Sequence, residues 1–216
     1  MPLLLIDLDN TLLDRTGAYR GWAEQFLVTV GAPAEEIEWM IKVDDDGRTP
    51  RRELAEEIKH RYGLTVPDED IVEAIRAGIV VNIKLDPLVA CALHIAGNAG
   101  WVPVVVTNGA VHQQEAKIRM SGLDRYIADW VISDEVRVRK PDPEIFDIAS
   151  RRARQPLRGG WMIGDSPEAD IAGGAQVGLR TAWLRRGRRW NETRFSPTVA
   201  VDSPIEALYA VLDSGF

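Results

Sequence analysis

Residues 3–14 read LLLIDLDNTLLD, and this stretch decides the fold. A run of apolar residues without alternation describes a strand covered on both faces, as in a parallel sheet flanked by helices. The run ends in Asp7 and Asp9, two carboxylates one residue apart. Side chains two apart in an extended chain share a face, so both acids point into one place as the strand ends. A buried charge without a partner is costly, so cations are expected beside them.

Similar runs recur at 102–107 (VPVVVT), 130–133 (WVIS), 160–164 (GWMIG) and 181–184 (TAWL), with a weaker one at 198–201. Helical patterns lie between them at 111–121 and 144–153. This order predicts an α/β fold, a doubly wound parallel sheet of Rossmann-like type. From Leu12 to about Pro87 no strand pattern occurs. Trp22, Phe26 and Val30 share a helical face, as do Ile37, Met40 and Ile41. Leu54, Ile58 and Tyr62 share another, and Ile71, Ile75 and Ile79 a fourth. Gly31-Ala32-Pro33 ends the first of these helices. Thr49, Asp68 and Asp86 are the predicted N-caps of later ones, with Pro50 and Pro87 in first turns. The expected organisation is a core of residues 1–13 and 87–216 with a helical insertion at 14–86. Residues 202–216 read as a closing helix.

The chain has 216 residues, a net charge of −7 and one cysteine. That charge argues against a nucleic-acid partner, and one cysteine excludes an intrachain disulfide. No apolar run reaches the ~20 residues of a membrane span, and no secretory pattern opens the sequence. The expectation is a cytoplasmic protein, monomer or homodimer, with no membrane partner. Acids exceed bases by six in 14–86, and bases exceed acids by six in 150–190. The Arg185-Arg186-Gly187-Arg188-Arg189 cluster in the second stretch reads as a solvated loop.

Four short segments fall at or beyond the carboxyl ends of predicted strands: Asp7–Thr11, Thr107-Asn108-Gly109, Lys140–Pro143 and Gly164–Asp170. Ligands of open α/β sheets bind in that crevice. Asp165 and Asp170 add negative charge to that of Asp7 and Asp9, and two carboxylates 4 Å apart repel by roughly 4 kcal/mol at an effective dielectric near 20. Lys140 supplies one cation. The all-oxygen donor set suits a hard divalent ion, Mg²⁺ above all. Thr107, Asn108 and the Gly109 turn, followed by a helix start near Ala110, provide phosphate-cradling groups. A carboxylate nucleophile, a divalent cation, a lysine and an anion cradle together describe phosphoryl transfer.

In these motifs, DxDxT at Asp7 and GDxxxxD at Gly164 foremost, the chain resembles the haloacid dehalogenase-like hydrolase superfamily of aspartate-nucleophile phosphatases. The motifs appear in order from Asp7 to Asp170. The resemblance implies a hydrolase, a Mg²⁺-dependent phosphatase of small phosphorylated metabolites working through an aspartyl-phosphate. It also implies that residues 14–86 form a cap that closes over substrate. Asp7 would be the nucleophile and Asp9 the acid and base. Mg²⁺ would bind Asp7, Asp165 and the Asp9 carbonyl. Thr107, Asn108 and Gly109 would hold the phosphoryl group, Lys140 would neutralise charge, and Thr11 and Asp170 would support the arrangement. A phosphomutase, a haloacid dehalogenase and a non-catalytic phosphate-binding or receiver-like module are the alternatives. The dehalogenase does not need Asp9.

Arg137 departs from the family pattern, standing where members often carry glycine ahead of the Lys140 loop. It either reshapes that loop or brings a positive group toward the entrance. In the insertion, Asp44–Arg52 reads as a specificity loop, with Arg48 the candidate for an anionic part of the substrate. Cys91 is expected in the core, and His60, His94 and His112 at the surface or in packing roles.

Overall fold

The computed structural model describes residues 1–215. Its chain divides into two compact units, Met1–Leu13 with Leu85–Phe216, and Asp14–Lys84.

The first unit is built on six parallel strands: β1 (Leu3–Ile6), β2 (Val102–Thr107), β3 (Asp129–Ile132), β4 (Trp161–Gly164), β5 (Arg180–Leu184) and β6 (Val199–Val201). Their order is β3-β2-β1-β4-β5-β6. Leu5 pairs with Val104 on one side and Met162 on the other. All four residues of β1 are buried, which explains why its sequence does not alternate. The chain runs outward from β1 through β2 to β3, then returns to place β4 beside β1. That reversal is the switch point where such sheets open a crevice.

Helices α5 (Pro87–Asn98), α6 (Val111–Ser121), α7 (Ser133–Val136), α8 (Pro143–Ala153), α9 (Gly173–Gln176) and α10 (Pro204–Asp213) complete the unit. Phe146 and Ile145 of α8 pack with Leu3, Leu5, Val104 and Val106 in one buried cluster. Helix starts follow local chemistry. Asp86 accepts from Leu88 N at 2.7 Å and Asp142 from Glu144 N at 3.0 Å, each followed by proline. Cys91 corrects an expectation, since it is exposed. Val89, Ala92, Leu93 and Ala96 set the buried stripe of α5, and Cys91 lies on the opposite face. The three histidines are exposed, and Phe216, at the end of the predicted closing helix, lies outside the described residues.

The second unit is helical: α1 (Arg15–Val30), α2 (Ile37–Asp44), α3 (Arg51–Tyr62) and α4 (Asp68–Asn82). Gly31 closes α1 in the left-handed conformation. Leu54 and Ile58 of α3 and Ile71, Ile75 and Ile79 of α4 are buried, as their spacing predicts. Two predicted caps do not form. Thr49 Oγ1 donates to the Val43 carbonyl instead, and Pro50 takes the cap position of α3. Asp68 is the first helical residue of α4 and accepts from Lys59 Nζ at 2.7 Å. At Asp68 a lysine donor takes the place of the helix N–H groups, and at Thr49 the hydroxyl turns to donate to a carbonyl.

The Asp44–Arg52 loop holds a buried ion cluster of this unit. Asp44, 1% exposed, receives both terminal nitrogens of Arg15, Nη1 of Arg51 at 3.0 Å and the Gly47 N–H at 3.0 Å. The Arg15 guanidinium also lies over the Tyr19 ring, 5.2 Å from its centroid. The Asp44 end of the loop is therefore structural. Among the described residues no helix is long and apolar enough to cross a membrane.

Candidate active site

Beyond β1 the chain turns tightly. Leu12 and Leu13 N–H groups both donate to the Leu8 carbonyl, and Asn10 takes a left-handed conformation that asparagine tolerates. The turn brings Thr11 back over Asp7. Thr11 Oγ1 donates to Asp7 Oδ2 at 3.0 Å, and Lys140 Nζ donates to Asp7 Oδ1 at 2.7 Å. Lys140 donates equally to Asp170 Oδ1 at 2.7 Å, and Ser166 N–H donates to Asp170 Oδ2 at 2.9 Å. Asp170 reaches this point from a π-helical turn, Pro167–Ala172, after β4. Gly164 makes room for it, because a Cβ there would lie 2.2 Å from Asp170 Oδ2.

Asp7, Asp165 and Asp170 each offer an oxygen, all within 4.8 Å of one another. Burial pushes the Asp7 carboxyl up to about 6 against the opposing pull of Lys140. Burial also pushes Asp165 up to about 6, with the neighbouring Asp7 charge adding to it and Arg188 and Arg186 opposing it. Asp170 is raised by burial as well, with Lys140 again opposing. Burial disfavours the charged form of Lys140, but Asp170 and Asp7 together outweigh this and hold its ammonium above the usual lysine range. Asp7 and Asp170 share one buried lysine, the arginines meet Asp165 alone of the three, and all three crowded carboxyls still resist ionisation. A hard divalent cation fits such an oxygen set.

Asp9 meets a different cation from the one expected. Lys117 Nζ, on α6, donates to its two carboxylate oxygens at 2.7 and 2.6 Å. Gln114 Nε2 adds a bond to Asp9 Oδ2 at 3.0 Å and one to Thr107 Oγ1 at 2.7 Å, and its Oε1 accepts from Lys117 at 2.8 Å. Sequence reasoning missed both residues. Their signal was available: Gln114 and Lys117 occupy the inward positions of α6 beside Ile118, where an ordinary helix would be apolar, and all three are buried.

The three residues after β2 divide their tasks. Thr107 is buried and accepts from Gln114, so its hydroxyl proton is left to donate. Asn108 braces the lysine loop, with Oδ1 accepting from Lys140 N at 2.9 Å and Nδ2 donating to the Lys140 carbonyl at 3.0 Å. Gly109 N–H donates to Ser133 Oγ at 3.0 Å. The predicted phosphate donors at 108 and 109 are thus engaged in holding loops together. That partnership between the ends of β2 and β3 is set by the fold and leaves no trace in spacing. Arg48 belongs to the helical unit, where it is exposed and makes two hydrogen bonds to the Asp45 carboxylate, at 3.0 and 2.6 Å.

The arginine cluster is not simply a solvated loop. Arg188 Nη2 donates to Asp165 Oδ2 at 3.0 Å and to the Asp165 carbonyl at 2.6 Å, and Arg186 Nη1 lies 3.6 Å from the same carboxylate oxygen. The loop after β5 lies along the end of β4 because the two strands are neighbours. Beside it opens a cavity of about 370 Å³ lined in part by Trp183, Arg188, Arg189 and Trp190. Arg137 has φ 59°, a left-handed conformation that glycine adopts without strain.

The sequence profile of the haloacid dehalogenase-like hydrolases matches residues 1–178. A pyrimidine 5'-nucleotidase of Escherichia coli is 40% identical over 100 residues, 46% of this chain and 44% of that protein. The chain thus spans less than half the length of that relative in the alignment. A glyceraldehyde 3-phosphate phosphatase of Pyrococcus furiosus is 33% identical over 210 residues, 87% of this chain and 82% of that protein. Among solved structures, a HAD-hydrolase of Bacillus subtilis bound to magnesium aligns with a TM-score of 0.77 at 25% identity, covering 98% of each chain.

Proposed function

The chain belongs to the haloacid dehalogenase-like hydrolases, and from that membership we propose that it is a Mg²⁺-dependent phosphomonoester hydrolase acting on a small phosphorylated metabolite. One observation carries the reading: a buried lysine bridges Asp7 and Asp170 with the Asp165 carboxylate alongside. Relatives that are phosphatases of a nucleotide and of a sugar phosphate support the substrate class.

In this reading Asp7 attacks phosphorus, the ester oxygen leaves, and an aspartyl-phosphate forms. Thr11 and Lys140 fix both oxygens of Asp7, which pre-aligns the nucleophile. Asp9 gives a proton to the leaving oxygen and then takes one from the water that cleaves the acyl phosphate. Thr107 donates its hydroxyl to the phosphoryl oxygens, and Lys140 offsets their charge. Asp7, Asp165 and the Asp9 carbonyl would hold Mg²⁺, which supplies charge neutralisation at the phosphoryl group when bound. Asp170 supports the site by orienting Lys140. The helical unit, Asp14–Lys84, takes the role of a cap that selects the substrate, with Arg48 a contact to an anionic group.

The test is phosphate release from a panel of phosphorylated metabolites, with Mg²⁺ or with EDTA, for the natural protein and Asp7→Asn. Release is expected to require both the ion and Asp7. Turnover that persists in folded Asp7→Asn overturns the mechanism.

A further inference from the structure

We propose that Arg188 is the positioning residue that presents Asp165 to the divalent cation; the inference rests on the reading of Asp165 as a metal ligand. The guanidinium has a fixed seat of its own. Nε donates to the Arg185 carbonyl at 3.0 Å, and Nη2 donates to the Asp165 carbonyl at 2.6 Å and approaches the Leu184 carbonyl at 3.4 Å. Its carbon lies 5.7 Å from the ring centroid of Trp183, which is fully buried. Trp183 Nε1 also donates to the Asp165 carbonyl at 3.0 Å, so the end of β5 grips this residue through two donors on its main chain.

From that seat Arg188 reaches one carboxylate oxygen of Asp165, Oδ2, at 3.0 Å. The other oxygen, Oδ1, makes no hydrogen bond among the described residues. A carboxylate on a single-bonded stem rotates freely unless something holds it. Holding Oδ2 leaves Oδ1 as the oxygen offered to a ligand. Ligand carboxylates are commonly oriented this way by an outer partner, whose loss weakens metal binding by about 10- to 100-fold.

A positive group beside a cation site also repels the cation, and the two effects oppose each other in sign. The repulsion is the smaller here. The Arg188 charge is already paired with Asp165, and a side chain 34% exposed is screened by water. Its neighbour Arg189, exposed and carrying the same charge, provides the control for charge alone.

The experiment measures Mn²⁺ binding from the free-ion electron paramagnetic resonance signal, with Mg²⁺ as competitor, and needs no substrate. Arg188→Gln is expected to raise the dissociation constant about 10- to 100-fold, and Arg189→Gln to leave it within about twofold. Arg188→Lys keeps the charge but lacks the second nitrogen, Nε, whose bond to the Arg185 carbonyl seats the group while Nη2 meets the Asp165 carbonyl and carboxylate, so it is expected to weaken binding too. It carries the test alone if Arg188→Gln fails to fold. Binding by either Arg188 variant as tight as that of the natural protein, or tighter, overturns the inference. Asp165→Asn separates this from the parent reading: if it binds Mn²⁺ normally, Asp165 is not a ligand and the metal assignment itself fails.

Discussion

Lys117 places a buried ammonium against both oxygens of Asp9, and Gln114 locks the same carboxylate from a third direction. In the proposed reaction this pair sets where the acid and base stands. Lys117→Met keeps the aliphatic stem and removes the clamp. A misplaced catalytic group costs on the order of 10²-fold, so kcat should fall by about that factor with KM little changed; an unchanged kcat would show that Asp9 is positioned without Lys117. Arg137 shows the same scale acting on the backbone. A left-handed conformation costs a residue with a Cβ about 1–2 kcal/mol, and glycine escapes that strain. Arg137→Gly should therefore stabilise the folded protein by about 1 kcal/mol in chemical denaturation, with lower stability as the contrary result. The glycine position was legible from the family pattern, whereas the conformation that explains it came from the structure.

Elements were the most legible level. Unbroken apolar runs marked the strands because a central parallel strand must be apolar on both faces, and their observed bounds differ by a residue at most. Capping was less legible. Asp86 caps its helix, while Thr49 and Asp68 find other partners, since a short polar side chain chooses among all donors and acceptors that folding brings near it. Packing between helices was not legible at all. Gly78 of α4 sits directly under Trp22 of α1, where a Cβ would lie 2.0 Å from the indole. Helix propensity favours Gly78→Ala by about 1 kcal/mol, but overpacking typically costs about 1–3 kcal/mol. With an indole rather than a flexible chain end in the way, overpacking wins. Gly78→Ala should lower the stability of the helical unit in denaturant titration, and a gain would mean that Trp22 moves aside cheaply.

At the scale of the whole molecule, the crowding of acids in the candidate site couples stability to pH and to metal. Asp7 and Asp165 are raised from an ordinary 3.8 to about 6, so the folded state holds their protons more tightly than the unfolded chain does. Between about pH 4 and pH 6 that contribution to stability declines as pH rises. A divalent ion favours the ionised carboxylates and must compete with their protons below pH 6. The rise in melting temperature on adding Mg²⁺ should accordingly be larger at pH 7.5 than at pH 5, and smaller in Asp165→Asn at both. Equal rises at the two pH values in the natural protein would show that these acids do not bind the ion.

By itself the sequence determined the succession of strands and helices along the chain, the helical insertion and the acids that gather at the carboxyl ends of β1 and β4. These follow from periodicity and motif spacing, which are local properties of a chain. Only the tertiary structure decided which cation meets which carboxylate: Lys140 between Asp7 and Asp170, Lys117 on Asp9, Arg188 on Asp165. Those pairings join residues 23 to 133 positions apart. Coulomb attraction depends on distance in space, and that distance is set by how the strands are ordered in the sheet.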